Sequence, residues 1–121
     1  MDSAKPLECH EALGMESGAI SDVQITASSF HNNKDKYSAF YGRLHLRASG
    51  KHSGAWSASK DDVNAWLQID LNGTYRVTRL ATQGRNGNYK QWVTEYHLQH
   101  SNNTESFIFY TRHERNLAKV K

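Results

Sequence analysis

The feature that most constrains this chain is strict alternation within short segments. In Trp66-Leu67-Gln68-Ile69-Asp70-Leu71 the apolar residues Leu67, Ile69 and Leu71 lie two apart. An extended chain therefore puts them on one face and Trp66, Gln68 and Asp70 on the other. Asn72-Gly73 ends the run as a hairpin turn would. Residues 23–27 repeat the β-branched, alternating pattern, and 75–83 read as another strand. In 92–100, Trp92, Tyr96 and Leu98 face one way and Glu95, His97 and Gln99 the other, and 107–110 form a short aromatic strand. Asn32, Asn33, Gly42, Ser49, Gly50, Ser53 and Gly54 punctuate the polar stretch between residues 28 and 57. Residues 84–90 and Ser101-Asn102-Asn103 are turn-rich in the same way. Short strands between turn signals, with one Pro and no clear amphipathic helix, predict an all-β sandwich or barrel.

A chain of 121 residues is one domain with room for a real core. Three Trp, six Tyr and four Phe offset a hydrophobic fraction of only 37%, because each ring buries a large area. The net charge of +3 is spread along the chain, which favours anionic surfaces mildly but supplies no polybasic tract for nucleic acid. No apolar run approaches a membrane span, and residues 1–8 read as a short tail without a signal-peptide core. The single cysteine, Cys9, excludes an internal disulfide and a Cys-based zinc site, and by itself reads as a small buried hydrophobe.

Catalytic signatures are absent as local motifs: no nucleophile elbow, no paired-histidine zinc helix and no phosphate loop. Asp61 and Asp62 adjoin one another in a polar loop, which reads as a solvated turn before it reads as an acid–base pair. Of seven histidines only His97 and His100 are close, and their spacing points them to opposite faces of a strand. The expectation is a chain that is no enzyme and holds no metal or cofactor.

Leu13-Gly14-Met15-Glu16-Ser17-Gly18-Ala19-Ile20 and Gln24-Ile25-Thr26-Ala27-Ser28-Ser29 resemble the opening of a discoidin, or coagulation factor V/VIII type C, domain. The resemblance continues through Gly42-Arg43-Leu44, Ala55-Trp56, residues 66–71, Thr82-Gln83-Gly84-Arg85 and Trp92-Val93-Thr94 with Tyr96, then Ser101 and Tyr110. No block is decisive alone; their order and spacing carry the match over residues 9 to about 120. Coagulation factors, neuropilins and adhesion proteins carry such modules. The resemblance implies a galactose-binding-like jelly-roll β-sandwich and an extracellular or cell-surface setting, with recognition loops at one end. It also implies that the domain, residues 9–121, is incomplete at its C-terminus, its closing strands missing. The family's closing cysteine is then absent too, leaving Cys9 without its disulfide partner and the fold without about 2–4 kcal/mol.

The recognition loops expected from the resemblance are residues 30–42, 47–54 and 85–91. Phe30, Tyr37, Phe40 and Tyr41 lie in the first, Arg47 opens the second, and Arg85, Asn86, Tyr89 and Lys90 lie in the third. Each aromatic can touch a ligand or fold back to plug the sandwich, and Arg85 can contact a ligand or brace its loop. Tyr37 is favoured for contact because Lys34, Asp35 and Lys36 surround it. Such loops fit a cell-surface glycan or protein ligand held in a concave pocket. They also fit anionic phospholipid, met by rings that insert and cations that stay at the headgroups. A third alternative is an appendage that targets a larger receptor or enzyme.

Trp56, Trp66, Trp92 and Tyr96 lie on or beside predicted strands and are expected in the core. Asp70, a carboxylate within a strand, is expected to be held by a structural ion pair, since a buried unpaired charge is costly. Asn72-Gly73-Thr74 and Asn102-Asn103-Thr104 are N-glycosylation sequons in predicted turns, making Asn72 and Asn102 candidate attachment sites.

Overall fold

The computed structural model describes residues 11–110. Its strands are β1 (Ile25–Ala27), β2 (Leu67–Ile69), β3 (Gln99–His100) and β4 (Ile108–Phe109), with four single 3₁₀ turns and no α-helix among the described residues. β1 and β2 pair antiparallel, with Ile25 opposite Ile69, Thr26 opposite Gln68 and Ala27 opposite Leu67. The ladder continues one step at each end: Asp70 N–H donates to the Gln24 carbonyl (2.8 Å) and Ser28 N–H to that of Trp66 (3.0 Å). Gln24 strengthens the first end, its side-chain amide donating to the Asp70 carbonyl at 2.7 Å.

The alternation does what extended geometry requires. Leu67, Ile69 and Leu71 all pack against a small core of Ile20, Ile25 and Ala39, joined by Met15, Ala27, Phe40 and Trp56. Ile25 is 3% exposed and forms the centre of this cluster. Trp56 rests on its rim, half-buried, with its indole N–H donating to the Ser29 carbonyl at 2.8 Å. Arg43 ties the N-terminal segment down through the Met15 carbonyl (2.8 Å) and the Asp22 carboxylate (2.7 Å).

β3 and β4 form a separate two-stranded antiparallel sheet, with Gln99 opposite Phe109 and His100 opposite Ile108. Ser101 Oγ accepts from the Asn103 and Thr104 amides, and Asn103 Oδ1 from those of Glu105 and Ser106, which closes the connecting turn.

Several expectations are corrected here. Residues 75–83 form no strand, and of 92–100 only Gln99 and His100 pair. The turn at Asn72-Gly73 therefore ends β2 without joining a hairpin partner. Trp66, Trp92 and Tyr96 are 49%, 66% and 40% exposed and not in the core. The reason is geometric: a strand's inner face is buried only when a second layer covers it, and no strand among the described residues covers these rings. Asp70 is exposed, and the ion pair among the described residues is Arg43–Asp22, with His45 Nδ1 placed 3.1 Å from the Glu16 carboxylate. Asp70 Oδ1 instead accepts from the Asn72 amide at 2.9 Å, capping the turn after β2. Cys9 and residues 111–121 lie outside the described residues.

Candidate functional site

The long connection between β1 and β2 builds the site. Its first part is wound into three successive 3₁₀ turns, His31–Asn33, Asp35–Tyr37 and Ala39–Tyr41. Asn32 and Asn33 both take φ of 53°, a left-handed conformation that asparagine accepts more readily than most residues. Buried Ser38 ends the second turn, its hydroxyl donating to the Asp35 carbonyl at 2.7 Å. Tyr37 is thereby held half-buried, with the His31 ring edge-on to it at 5.1 Å.

Residues 47–54 are stitched onto this wall. Ser53 places both its amide and its hydroxyl 3.0 Å from the Lys36 carbonyl, and Ser57 N–H donates to that of Tyr37 at 3.3 Å. Gly54 makes the approach possible. Its φ is +79°, and a Cβ there would lie 2.5 Å from the Ala48 nitrogen. The Gly54 amide donates to His52 Nδ1 (3.1 Å), which assigns the proton of neutral His52 to Nε2. The His52 ring lies stacked on Tyr41 at 4.4 Å.

The third wall comes from residues 85–91. Arg85 bonds Gln91 twice, backbone to backbone and Nη1 to Oε1, each at 2.8 Å. Its guanidinium carbon sits 4.6 Å from the Tyr89 ring centre and 5.9 Å from that of Tyr37. Cation–π contacts of this kind are worth about 0.5–1 kcal/mol at exposed positions. Arg85 Nε is buried and has no hydrogen-bond partner among the described residues.

Between the three walls lies an open concavity of about 190 Å³. Lys36 and Tyr37 line it from the first wall, Arg85 from the third, and Ser49, Gly50, His52 and Ser53 with Ala48 from the second. Two cations, hydroxyl and amide groups and an aromatic face so arranged can hold an anionic oxygen group or a sugar. Asp62 locks the chain where it returns to β2: the Ser28 and Ser29 hydroxyls donate to its Oδ2 at 2.6 and 2.7 Å. Those two bonds, Ser28 first, hold the Asp62 carboxyl below its ordinary value of 3.8, aided by the Asn64 amide.

The structure brings only part of the expected set together. Tyr37 and Arg85 line the concavity, and Tyr89 covers Arg85 from outside. Asn86 braces its loop, donating to the Leu46 carbonyl at 2.8 Å. Phe40 packs on the core as a plug, and Tyr41 supports His52. Phe30, Arg47 and Lys90 do not line the concavity. Lys36, Ser49, His52 and Ser53 do, and none of them is among the contact residues the sequence points to. The turn residues of 47–54 were the available signal for the serines; an isolated histidine carries no periodic signal. Among the described residues no cluster of three or more His, Cys, Asp or Glu could hold a metal ion, and no helix is long and apolar enough to cross a membrane.

Two antiparallel ladders, the first closed by a long loop connection, define an all-β domain. The F5/8 type C domain model matches residues 24–120, and the chain belongs to that family, whose fold is a galactose-binding-like β-sandwich. The chain is similar to the human EGF-like repeat and discoidin I-like domain-containing protein 3, at 37% identity over 115 residues. That alignment covers 93% of this chain and 24% of the relative. Pig lactadherin is 37% identical over 107 residues, covering 84% of this chain and 25% of that protein. Mouse coagulation factor VIII is 46% identical over 77 residues, covering 63% of this chain and 3% of that protein. The chain thus spans a quarter or less of the curated relatives named here. No solved structure matches it.

Proposed function

We propose that this chain is a non-catalytic extracellular recognition module that binds a cell-surface glycan or protein through the concavity between Tyr37, residues 48–53 and Arg85. The observation that carries the reading is the convergence of Lys36, Arg85, Ser49 and Ser53 on one opening walled by Tyr37. Groups of this kind orient a polar ligand while an aromatic face supplies contact area. None of them forms a nucleophile–base pair of the sort that covalent catalysis needs.

A second reading is peripheral binding to anionic phospholipid. It is favoured by Tyr89, 64% exposed and stacked over Arg85, which sets an insertable ring beside a cation. As a third, the module targets a larger protein, a reading supported by the much greater length of its relatives.

The chain should be tested in parallel on a glycan array and on vesicles with and without phosphatidylserine. Selective glycan retention that is lost in Tyr37→Ala and Arg85→Ala supports the first reading. Retention only on phosphatidylserine vesicles, weakened in Tyr89→Ala, supports the second. Binding unaffected by Tyr37→Ala and Arg85→Ala would remove the concavity from either account.

A further inference from the structure

We propose that Asn72 is an N-glycan attachment site and that its glycan leaves the domain at the pole opposite the concavity. The proposal rests on the extracellular reading above and concerns a part of the molecule that reading does not use.

The register of β1 and β2 supplies the placement. The Ala27–Leu67 end of the ladder leads into the connection that builds the concavity, and the Ile25–Ile69 end leads to Asn72. Three paired residues and the extra backbone bond at each end separate the two, and a strand advances about 3.4 Å per residue. A glycan on Asn72 therefore projects away from the loops.

The local chemistry favours the same residue. Asn72, Gly73 and Thr74 are all exposed. Asp70 Oδ1 holds the Asn72 backbone amide, and Asn72 takes φ of 57°, so the turn is fixed through the main chain. The Asn72 carboxamide and the Thr74 hydroxyl have no hydrogen-bond partner among the described residues. In the other sequon the Asn102 carboxamide is likewise unbonded among the described residues, but the Thr104 hydroxyl donates to the Asn103 carbonyl, Thr104 takes φ of 61°, and Asn103 Oδ1 holds the Glu105 and Ser106 amides.

The donor is a polyisoprenyl-diphosphate-linked oligosaccharide. The Asn72 amide nitrogen forms a bond to C1 of the reducing-end sugar, the C1–O bond to diphosphate breaks, and the polyisoprenyl diphosphate leaves. The amide proton passes to a base of the transferase, and nothing is oxidised or reduced.

The test is to express the full 121-residue chain behind a cleavable secretory leader in glycosylating cells. Secreted and retained pools are both read by glycopeptide mass spectrometry. Entry is then forced by the leader, so the result reports on Asn72 and not on the native location. Occupancy at Asn72 above that at Asn102, abolished in Asn72→Gln and Thr74→Ala and kept in Thr74→Ser, is expected. An unmodified Asn72, or higher occupancy at Asn102, overturns the assignment. Amide hydrogen exchange before and after enzymatic deglycosylation tests the placement. Changes confined to residues 69–75 are expected; altered protection in 47–54 overturns it.

Discussion

Replacing Gly54 by alanine should dismantle the concavity without touching any side chain that lines it. The new methyl would lie 2.5 Å from the Ala48 nitrogen and 2.8 Å from the Arg47 carbonyl carbon, both backbone atoms. Ordinary contact needs about 3.5 Å, so the two strands of the loop must separate by about 1 Å. A non-glycine residue at φ of +79° adds about 1–2 kcal/mol of backbone strain. The shift also weakens the bond from Gly54 N–H to His52 Nδ1 and the Ser53 contacts with Lys36, each worth about 1 kcal/mol net. Together these amount to about 2–4 kcal/mol. Urea unfolding followed by Trp fluorescence measures the loss, and binding on the array or vesicles measures the function. Gly50→Ala is the control, because nothing lies within 4 Å of its Cβ position, and it should stay within about 0.5 kcal/mol. A Gly54→Ala chain that unfolds at the unchanged urea midpoint would refute the close-approach argument.

Three further outcomes are expected. Arg85→Ala should cost under about 1 kcal/mol of stability, since its cation–π contacts are partly exposed, yet weaken binding at least about tenfold; Arg85→Lys, which keeps the charge but loses the planar stack, should fall between them in a titration. Asp70→Ala should cost about 0.5–1 kcal/mol in urea, the value of a turn-capping bond, and a loss of about 3–5 kcal/mol would point to a broken buried ion pair. Asp62 has its folded pKa below the unfolded 3.8, so its contribution is complete above that value and is lost as pH falls through the folded one. The thermal midpoint of Asp62→Asn should therefore change less on acidification than that of the parent chain, and parallel acid limbs would count against the Ser28–Asp62–Ser29 lock.

Local pattern made the first layer of this fold legible. The alternation in residues 66–71 marked Leu67, Ile69 and Leu71 as one face, and that face packs on Ile20, Ile25 and Ala39. The same alternation at Trp92 and Tyr96 misled, because period-two order specifies that a face exists and not that something covers it. Asp70 departs from expectation for a related reason: position on a strand does not by itself bury a side chain, and the carboxylate turns to the amide two residues ahead. The concavity was legible only in part: of the residues expected to touch a ligand, Tyr37 and Arg85 line it. Tyr37 stood out among charged neighbours and Arg85 after a turn glycine. Lys36, Ser53 and His52 did not, because their role depends on which loop folds against which.

The sequence by itself determined the all-β class, the β1–β2 face and the family, since all three are written in residue order over short distances. Tertiary structure decided that Arg85 should meet the Tyr37 ring across 48 positions of chain, with a concavity of about 190 Å³ beside them. It also decided that Phe40 is a plug on the core and that the turn at Asn72 follows the Ile25–Ile69 end of the ladder. These depend on contacts between segments remote in sequence, formed through backbone bonds such as Ser53 to Lys36. Any residue with an N–H can make such a bond, so residue identity leaves no mark of it.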